Sequence, residues 1–171
     1  NDVALLKVNT QPEVYFPLST KPSELLEDIY VAGFPFGIDA NISRSVKVTK
    51  GIVSSLSGME DNYSEIQIDA AIQQGNSGGP ILNKNGNVVA IAVSKLSRVY
   101  MKEKWGDGAV PENVNFGVKV SAVKNLLEGN GISALPSSSE EISKTSLGKN
   151  LTKGTVHLSC YMTIAQIKKL Q

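Results

Sequence analysis

Apolar residues in this chain fall in short runs between turn residues, a pattern that predicts β-strands rather than helices. Residues 3–8 (VALLKV) make a near-continuous apolar run of strand length, followed by a proline-punctuated connector over 10–28 (TQPEVYFPLSTKPSELLED). Residues 29–33 (IYVAG) read as the next strand, ended by the turn chemistry of FPFGIDAN with Pro35 and Gly37. Residues 44–58 (RSVKVTKGIVSSLSG) carry β-branched residues on both sides of Gly51, predicting a long bent strand or a hairpin. Residues 64–70 (SEIQIDA) alternate apolar and polar, as a half-buried strand does. GGPIL (78–82) and NVVAIAVS (87–94) are joined across Asn85 and Gly86, a hairpin-turn pair, and NVNFGVKV (113–120) is the last strand of the set. Ser121 then stands where it can cap a short helix with Val120, Val123, Leu126 and Leu127 on one side, stopped by Gly129.

Counted from Ile29 this gives about six strands and a closing helix, with the turn spacing of a sandwich or small barrel. One strand precedes the set. Residues 131–150 (GISALPSSSEEISKTSLGKN) are polar and serine-rich, a linker by composition. Beyond them, TVHLSCYM alternates with Val156, Leu158, Cys160 and Met162 on one face, and Thr163 and Gln166 have capping-box spacing. The division expected is a barrel domain over 1–128, a linker over 129–150 and the start of a further unit over 151–171.

Composition narrows the function classes. With 17 Lys+Arg against 16 Asp+Glu the net charge is +1, so nothing points to nucleic acid or an anionic membrane surface. The single cysteine excludes an internal disulfide framework and a multi-cysteine metal site, and no cofactor is expected. No apolar stretch is long enough for a membrane-spanning helix. No basic segment leading into an apolar run opens the sequence, and the compartment stays open.

The chemistry-bearing stretch is GNSGGP (75–80), a serine among glycines. Glycine beside a serine lets main-chain N–H groups converge on one point, which is what stabilising an oxyanion requires. GNSGG also fits the G-x-S-x-G pattern of the hydrolase elbow, but that motif needs a strand before it and a helix after it, and here strands lie on both sides. A glycine-rich loop without chemistry is the competing reading. A serine nucleophile needs a base, and the one histidine, His157, lies eighty residues downstream, where it reads as an exposed polar position on a strand.

GNSGGP resembles the nucleophile motif of the trypsin-like serine proteases, in the asparagine form of the HtrA (Deg) branch. NDVALLKV (1–8) resembles the segment in which that family carries its triad aspartate, here Asp2. GFPFG (33–37), VTKGIVSSL (48–56), IQIDAAI (66–72) and VNFGVKVSAVKNLL (114–127) resemble further segments of the same branch, in order. The resemblance implies a mainly β, trypsin-like double β-barrel. The chain would hold the complete second six-stranded barrel plus the last strand of the first, with a short C-terminal helix. It implies a serine endopeptidase with Ser77 as nucleophile and Asp2 orienting a histidine that lies upstream in the family, so the chain as given is expected to be inactive by itself. The oxyanion hole falls on Gly75 and Ser77, with Asn76 between them.

By the same resemblance Ala71, with Ile72 beside it, sits at the base of the primary specificity pocket. Without an acidic floor, cleavage is expected after small or medium aliphatic residues. Ala92, Val93 and Ser94 match the strand on which an extended polypeptide substrate lies. The loop over 95–113, with Trp105, follows it. Gln73 and Gln74 replace the family's Asn-Pro, which predicts a more flexible oxyanion loop. Asn76 stands where the secreted branch uses aspartate to hold a freshly cleaved N-terminus, and asparagine cannot form that ion pair. No start of a PDZ domain is recognisable over 150–171. The family also implies an extracytoplasmic or periplasmic location and allows a homo-oligomer. A pseudoprotease that binds extended peptides without a histidine is the alternative.

Overall fold

The computed structural model describes residues 3–35, 45–95, 113–159, 161 and 163. Six strands form one closed antiparallel barrel: β1 (Asp28–Gly33), β2 (Lys47–Ser55), β3 (Glu65–Ile68), β4 (Pro80–Asn83), β5 (Val88–Lys95) and β6 (Asn115–Lys119). They are ordered β1-β2-β3-β6-β5-β4, and β4 closes back onto β1 through Ile29, Tyr30 and Val31. The stretch expected to be a long bent strand or a hairpin holds one strand, β2, which carries an extra residue, Ser54, where its register against β3 shifts. The expected hairpin turn forms at 83–86, where Gly86 N–H donates to Asn83 O at 3.0 Å.

β1 is apolar from Ile29 to Ala32 because both of its faces are covered. Ile29, Val31, Val53, Ile66, Ile68, Ile81 and Val89 point into the barrel, with Ala70 and Ile72 at its end. The alternate residues of β1, Tyr30 and Ala32, face outward with Leu82 and Val88, and a second layer covers them. Side chains alternate along a strand, so a strand covered on one side alone would read apolar-polar; β1 reads apolar throughout. The connector supplies part of the layer through Phe16 and Leu18, with Val88 N–H donating to Pro17 O at 2.8 Å and Ser19 N–H to Val88 O at 2.9 Å. On the exposed side of the β1–β2 pair, Lys50 donates to Asp28 at 2.9 Å; that hydrogen bond holds the Lys50 ammonium above the usual lysine range.

Two helices follow the barrel. Helix α1 (Val120–Gly129) starts directly off β6: Lys119 is its extended N-cap residue, without a side-chain cap, so Ser121 lies inside the first turn and not before it. Helix α2 (Lys144–Gly154) was not expected. It runs across residue 150, where composition placed the end of a linker. Ser143 caps it by accepting from Ser146 N–H, and Leu147 and Leu151, one turn apart, are fully buried against Tyr30, Ala32, Leu82 and Val88. The main chain of the serine-rich stretch before it is fixed mostly by asparagine side chains. Asn87 donates to Ser138 O at 2.8 Å and accepts from Ser138 N–H at 2.7 Å, Asn85 donates to Ser139 O, and Ile142 N–H donates to Lys84 O.

Two expected strands are not seen among the described residues. Residues 3–8 make no ladder among the described residues, and Leu6 and Val8 are 58% and 62% exposed, so the last strand of a first barrel is not seen. Alternation alone does not make a strand; its N–H and C=O groups need a neighbour to pair with. For the same reason residues 155–159 run without strand structure, with Val156 and Leu158 exposed. Cys160, Met162 and Gln166 lie outside the described residues.

The outer layer generates a stability prediction. Leu147→Ala and Leu151→Ala should each cost about 2–5 kcal/mol in urea unfolding, as buried leucines do. Lys84→Ala, which removes an exposed ion pair to Glu141, should cost about 1 kcal/mol or less. Equal midpoints for all three variants would show that α2 is not part of the folded unit.

Candidate active site at Ser77

After β3 the chain continues its alternation, with Ala70 and Ile72 in the core and Ala71 and Gln73 exposed, and then makes two turns back to back. In the first, over 73–76, Asn76 N–H donates to Gln73 O at 3.0 Å and Gly75 has φ +101°. In the second, over 76–79, Gly79 N–H donates to Asn76 O at 2.9 Å and Gly78 has φ +83°. A closed turn with positive φ at its third residue is type II, which is why glycine stands at both places. Asn76 belongs to both turns and is 3% exposed, packed against Gly33 of β1. Ser77 is the second residue of the second turn and stands exposed at its corner.

The turn pair is clamped to β5. Gly78 N–H donates to Ala92 O at 2.7 Å, and Ala92 N–H to Gly79 O at 2.9 Å. The Ser77 hydroxyl donates to Val93 O at 2.8 Å. Val93 is the extra residue of a bulge: Ala92 pairs with Gly117 and Ser94 with Phe116, leaving Val93 between them. β4 begins at Pro80, opposite Ile91, and the turn takes up Ala92, so among the described residues the β5 edge on that side has no strand partner from Val93 onward.

Among the described residues, the main-chain N–H groups of Gly75 and Ser77 donate no hydrogen bond, whereas that of Asn76 is taken by Gln73 O. Of the three residues expected around an oxyanion, two have a free amide. Ala92 has both main-chain groups engaged by the turn, and Ile72 is 2% exposed in the barrel core, while Ala71 and Val93 border the open side. For Ser94 only the main chain is described. Asp2, and residues 96–112 with Trp105, lie outside the described residues.

His157 is exposed, as expected, but not on a strand. Its ring packs edge-on against Phe34, centroids 5.6 Å apart at 83°, and Nδ1 lies 3.3 Å from Ser159 Oγ. Phe34 N–H in turn donates to Gly75 O at 3.2 Å, so His157 reaches the back of the first turn and makes no hydrogen bond to Ser77. Among the described residues no group of three His, Cys, Asp or Glu is placed to hold a metal, and no helix is long and apolar enough to cross a membrane.

Sequence reasoning missed Asn115, the first residue of β6. It is 2% exposed, its Nδ2 donates to Ala70 O at 2.8 Å, and its Oδ1 has no partner among the described residues. Asn76 Oδ1 is likewise buried and unpaired. A buried polar atom left unpaired costs about 1–3 kcal/mol. The only signal was a polar residue inside an apolar strand run.

Comparison with known proteins places the chain in a family. The trypsin-like peptidase domain family matches residues 1–91, more than half of the chain. Protein y4bJ of Sinorhizobium fredii is 30% identical over 161 residues, 94% of this chain and 25% of that protein. Serine protease Do-like HtrA of Bacillus subtilis is 36% identical over 110 residues, 60% of this chain and 21% of that protein. A crystal structure of the serine endoprotease from Yersinia pestis aligns with a TM-score of 0.49 at 23% identity, covering 67% of this chain and 34% of the other. The chain thus spans a quarter or less of the length of the two relatives.

This chain belongs to the trypsin-like peptidase domain family and is homologous, over part of its length, to the HtrA/Deg serine proteases.

The turn geometry predicts the effect of two substitutions. Gln74 is the second residue of a type II turn, where proline is favoured, and its N–H makes no main-chain hydrogen bond among the described residues. Gln74→Pro should therefore raise stability by about 0.4–1 kcal/mol by restricting the unfolded chain. Gly78→Ala meets no steric obstacle but forces a side chain into φ +83°, and should lose about 1–2 kcal/mol. Urea unfolding of both variants checks the pair.

Proposed function

We propose that this chain is the Ser77-bearing part of a serine endopeptidase that cleaves unfolded polypeptides through an acyl-enzyme. The observation that supports it best is the exposed Ser77 hydroxyl between two amides, Gly75 and Ser77, that have no partner among the described residues. Attack begins when the hydroxyl leaves Val93 O and a base takes its proton; the oxygen adds to the substrate carbonyl carbon, and the resulting oxyanion accepts from the two amides. Collapse expels the amine with a proton returned by the base, and water then hydrolyses the ester. Asp2 is assigned to orient that base by family resemblance. The base itself is a histidine from outside these residues, since His157 packs on Phe34. An extended substrate would add along the free edge of β5 from Val93, a mode of binding that main-chain groups dominate and that suits unfolded chains. Ala71 would meet the substrate side chain, and with no charge there the preference is for small or medium aliphatic residues.

A second reading, a peptide-binding barrel without catalysis, draws on the Ser77–Val93 hydrogen bond, which occupies the hydroxyl with a carbonyl in place of a base. A fluorophosphonate probe on the intact protein separates the two. The endopeptidase reading expects covalent labelling that disappears in Ser77→Ala, with kcat/KM falling on the order of 10⁴-fold or more. Peptide binding with no labelling of the unaltered protein would establish the second.

A further inference from the structure

Away from the Ser77 corner, the other end of the barrel holds a cavity of about 350 Å³. β6 stops at Lys119, opposite Ala90, and the chain turns into α1, while β5 reaches back past Ala90 to Val88 and meets the connector at Leu18. The gap left between them is walled by connector residues 19–23, by Leu56 after β2 and by the first turn of α1, with the buried Val89 at its floor. Val89 is four residues from Val93, whose carbonyl holds the Ser77 hydroxyl, or about 13 Å along β5 at ~3.3 Å per residue. The cavity is therefore separate from the serine site.

Its lining divides by chemistry. Leu56, Val89 and Val120 are aliphatic, Lys21, Lys119 and Lys124 are cationic, and no lining residue is acidic. That is a local excess in a chain whose charges otherwise nearly cancel, 17 Lys+Arg against 16 Asp+Glu. Lys119 Nζ donates to Tyr63 O at 2.8 Å, which leaves two of its three N–H donors. Lys21 and Lys124 form no ion pair among the described residues. Lysine stems extend an apolar wall while their ammonium heads stay toward water. A complementary occupant is apolar along its body and anionic at one end.

We infer that this cavity binds a short-chain fatty acid, its chain laid over Leu56, Val89 and Val120 and its carboxylate among the three lysines. The volume falls near the lower end of small-molecule sites, roughly 300–1,000 Å³, which suits a short chain and not a long lipid. A polypeptide fits less well, because strand groups beside the cavity are already spent. Val88 N–H donates to Pro17 O, Val88 O accepts from Ser19 N–H, and Lys119 N–H donates to Ser64 O. Apolar surface and charge are what remain to recognise a ligand. The site stands whether or not Ser77 is a nucleophile.

Isothermal titration of the intact protein tests this with hexanoate, heptanoate, octanoate and octanol. Octanoate should bind at one molecule per chain, with affinity rising about fourfold per methylene along the acid series as each CH₂ leaves water. It should bind at least fivefold tighter than octanol, which has the same chain without the charge. Lys21→Gln with Lys124→Gln, neither residue being buried, should reduce that advantage to twofold or less and leave octanol binding unchanged. Octanol binding as tightly as octanoate, affinity independent of chain length, or no binding of octanoate overturns the assignment, and none of these needs a substituted protein to fold. A peptide ending in a free leucine carboxylate that binds more tightly than octanoate also overturns it, and marks the cavity as a dock for a chain terminus.

Discussion

Everything at the Ser77 corner depends on Asn76 serving two turns at once. Its N–H closes the first turn on Gln73 and its carbonyl closes the second on Gly79. A β-turn uses the N–H of its fourth residue and leaves those of its second and third unspent. Gly75 is third in one turn and Ser77 second in the next, so the two unspent amides flank the hydroxyl by construction. Gly78, the third residue of the second turn, also has a spare N–H, and Ala92 takes it. That last bond ties the corner to the barrel wall.

The barrel contacts the corner from two directions. Inside, Ala70 and Ile72 anchor the approach to the first turn in the core. Outside, the layer built from Phe16, Leu18, Leu147 and Leu151 covers the far face of β1. β1 ends at Gly33, against which Asn76 packs, and Phe34 follows, holding Gly75 O and carrying the ring of His157. His157, which follows α2, is therefore linked through Phe34 to the first of the two turns. Segments that look peripheral in the sequence are mechanically connected to the site through a single strand end.

The barrel strands were legible because each is bounded by turn residues and each buries at least one face. Residues 3–8 and 155–159 carry the same pattern and form no strand, because pairing depends on a neighbour that local sequence does not specify. Helix α2 was hidden for the opposite reason: two leucines one turn apart in a serine-rich stretch are too few to register as periodicity, and the partners that bury them, Tyr30, Ala32, Leu82 and Val88, are remote in sequence. The serine motif and its glycines could be read directly, since positive φ at two turn positions demands them. What could not be read was the division of labour among the amides, with Asn76 spent and its neighbours free. Asn115 was equally invisible, because a polar residue in a strand reads as solvent-facing until the fold buries it.

Among the described residues the site therefore combines a hydroxyl, two amides without a partner and an unpaired strand edge, set on a barrel of the trypsin-like peptidase family. The most direct measurement of this arrangement is residue-resolved amide hydrogen exchange by NMR on the folded protein. Slow exchange at Asn76, Gly78 and Gly79, with fast exchange at Gly75 and Ser77, is the predicted result. Protection at Gly75 or Ser77 comparable to that at Asn76 would mean those amides are already committed elsewhere, and the account of an oxyanion site at this corner would be wrong.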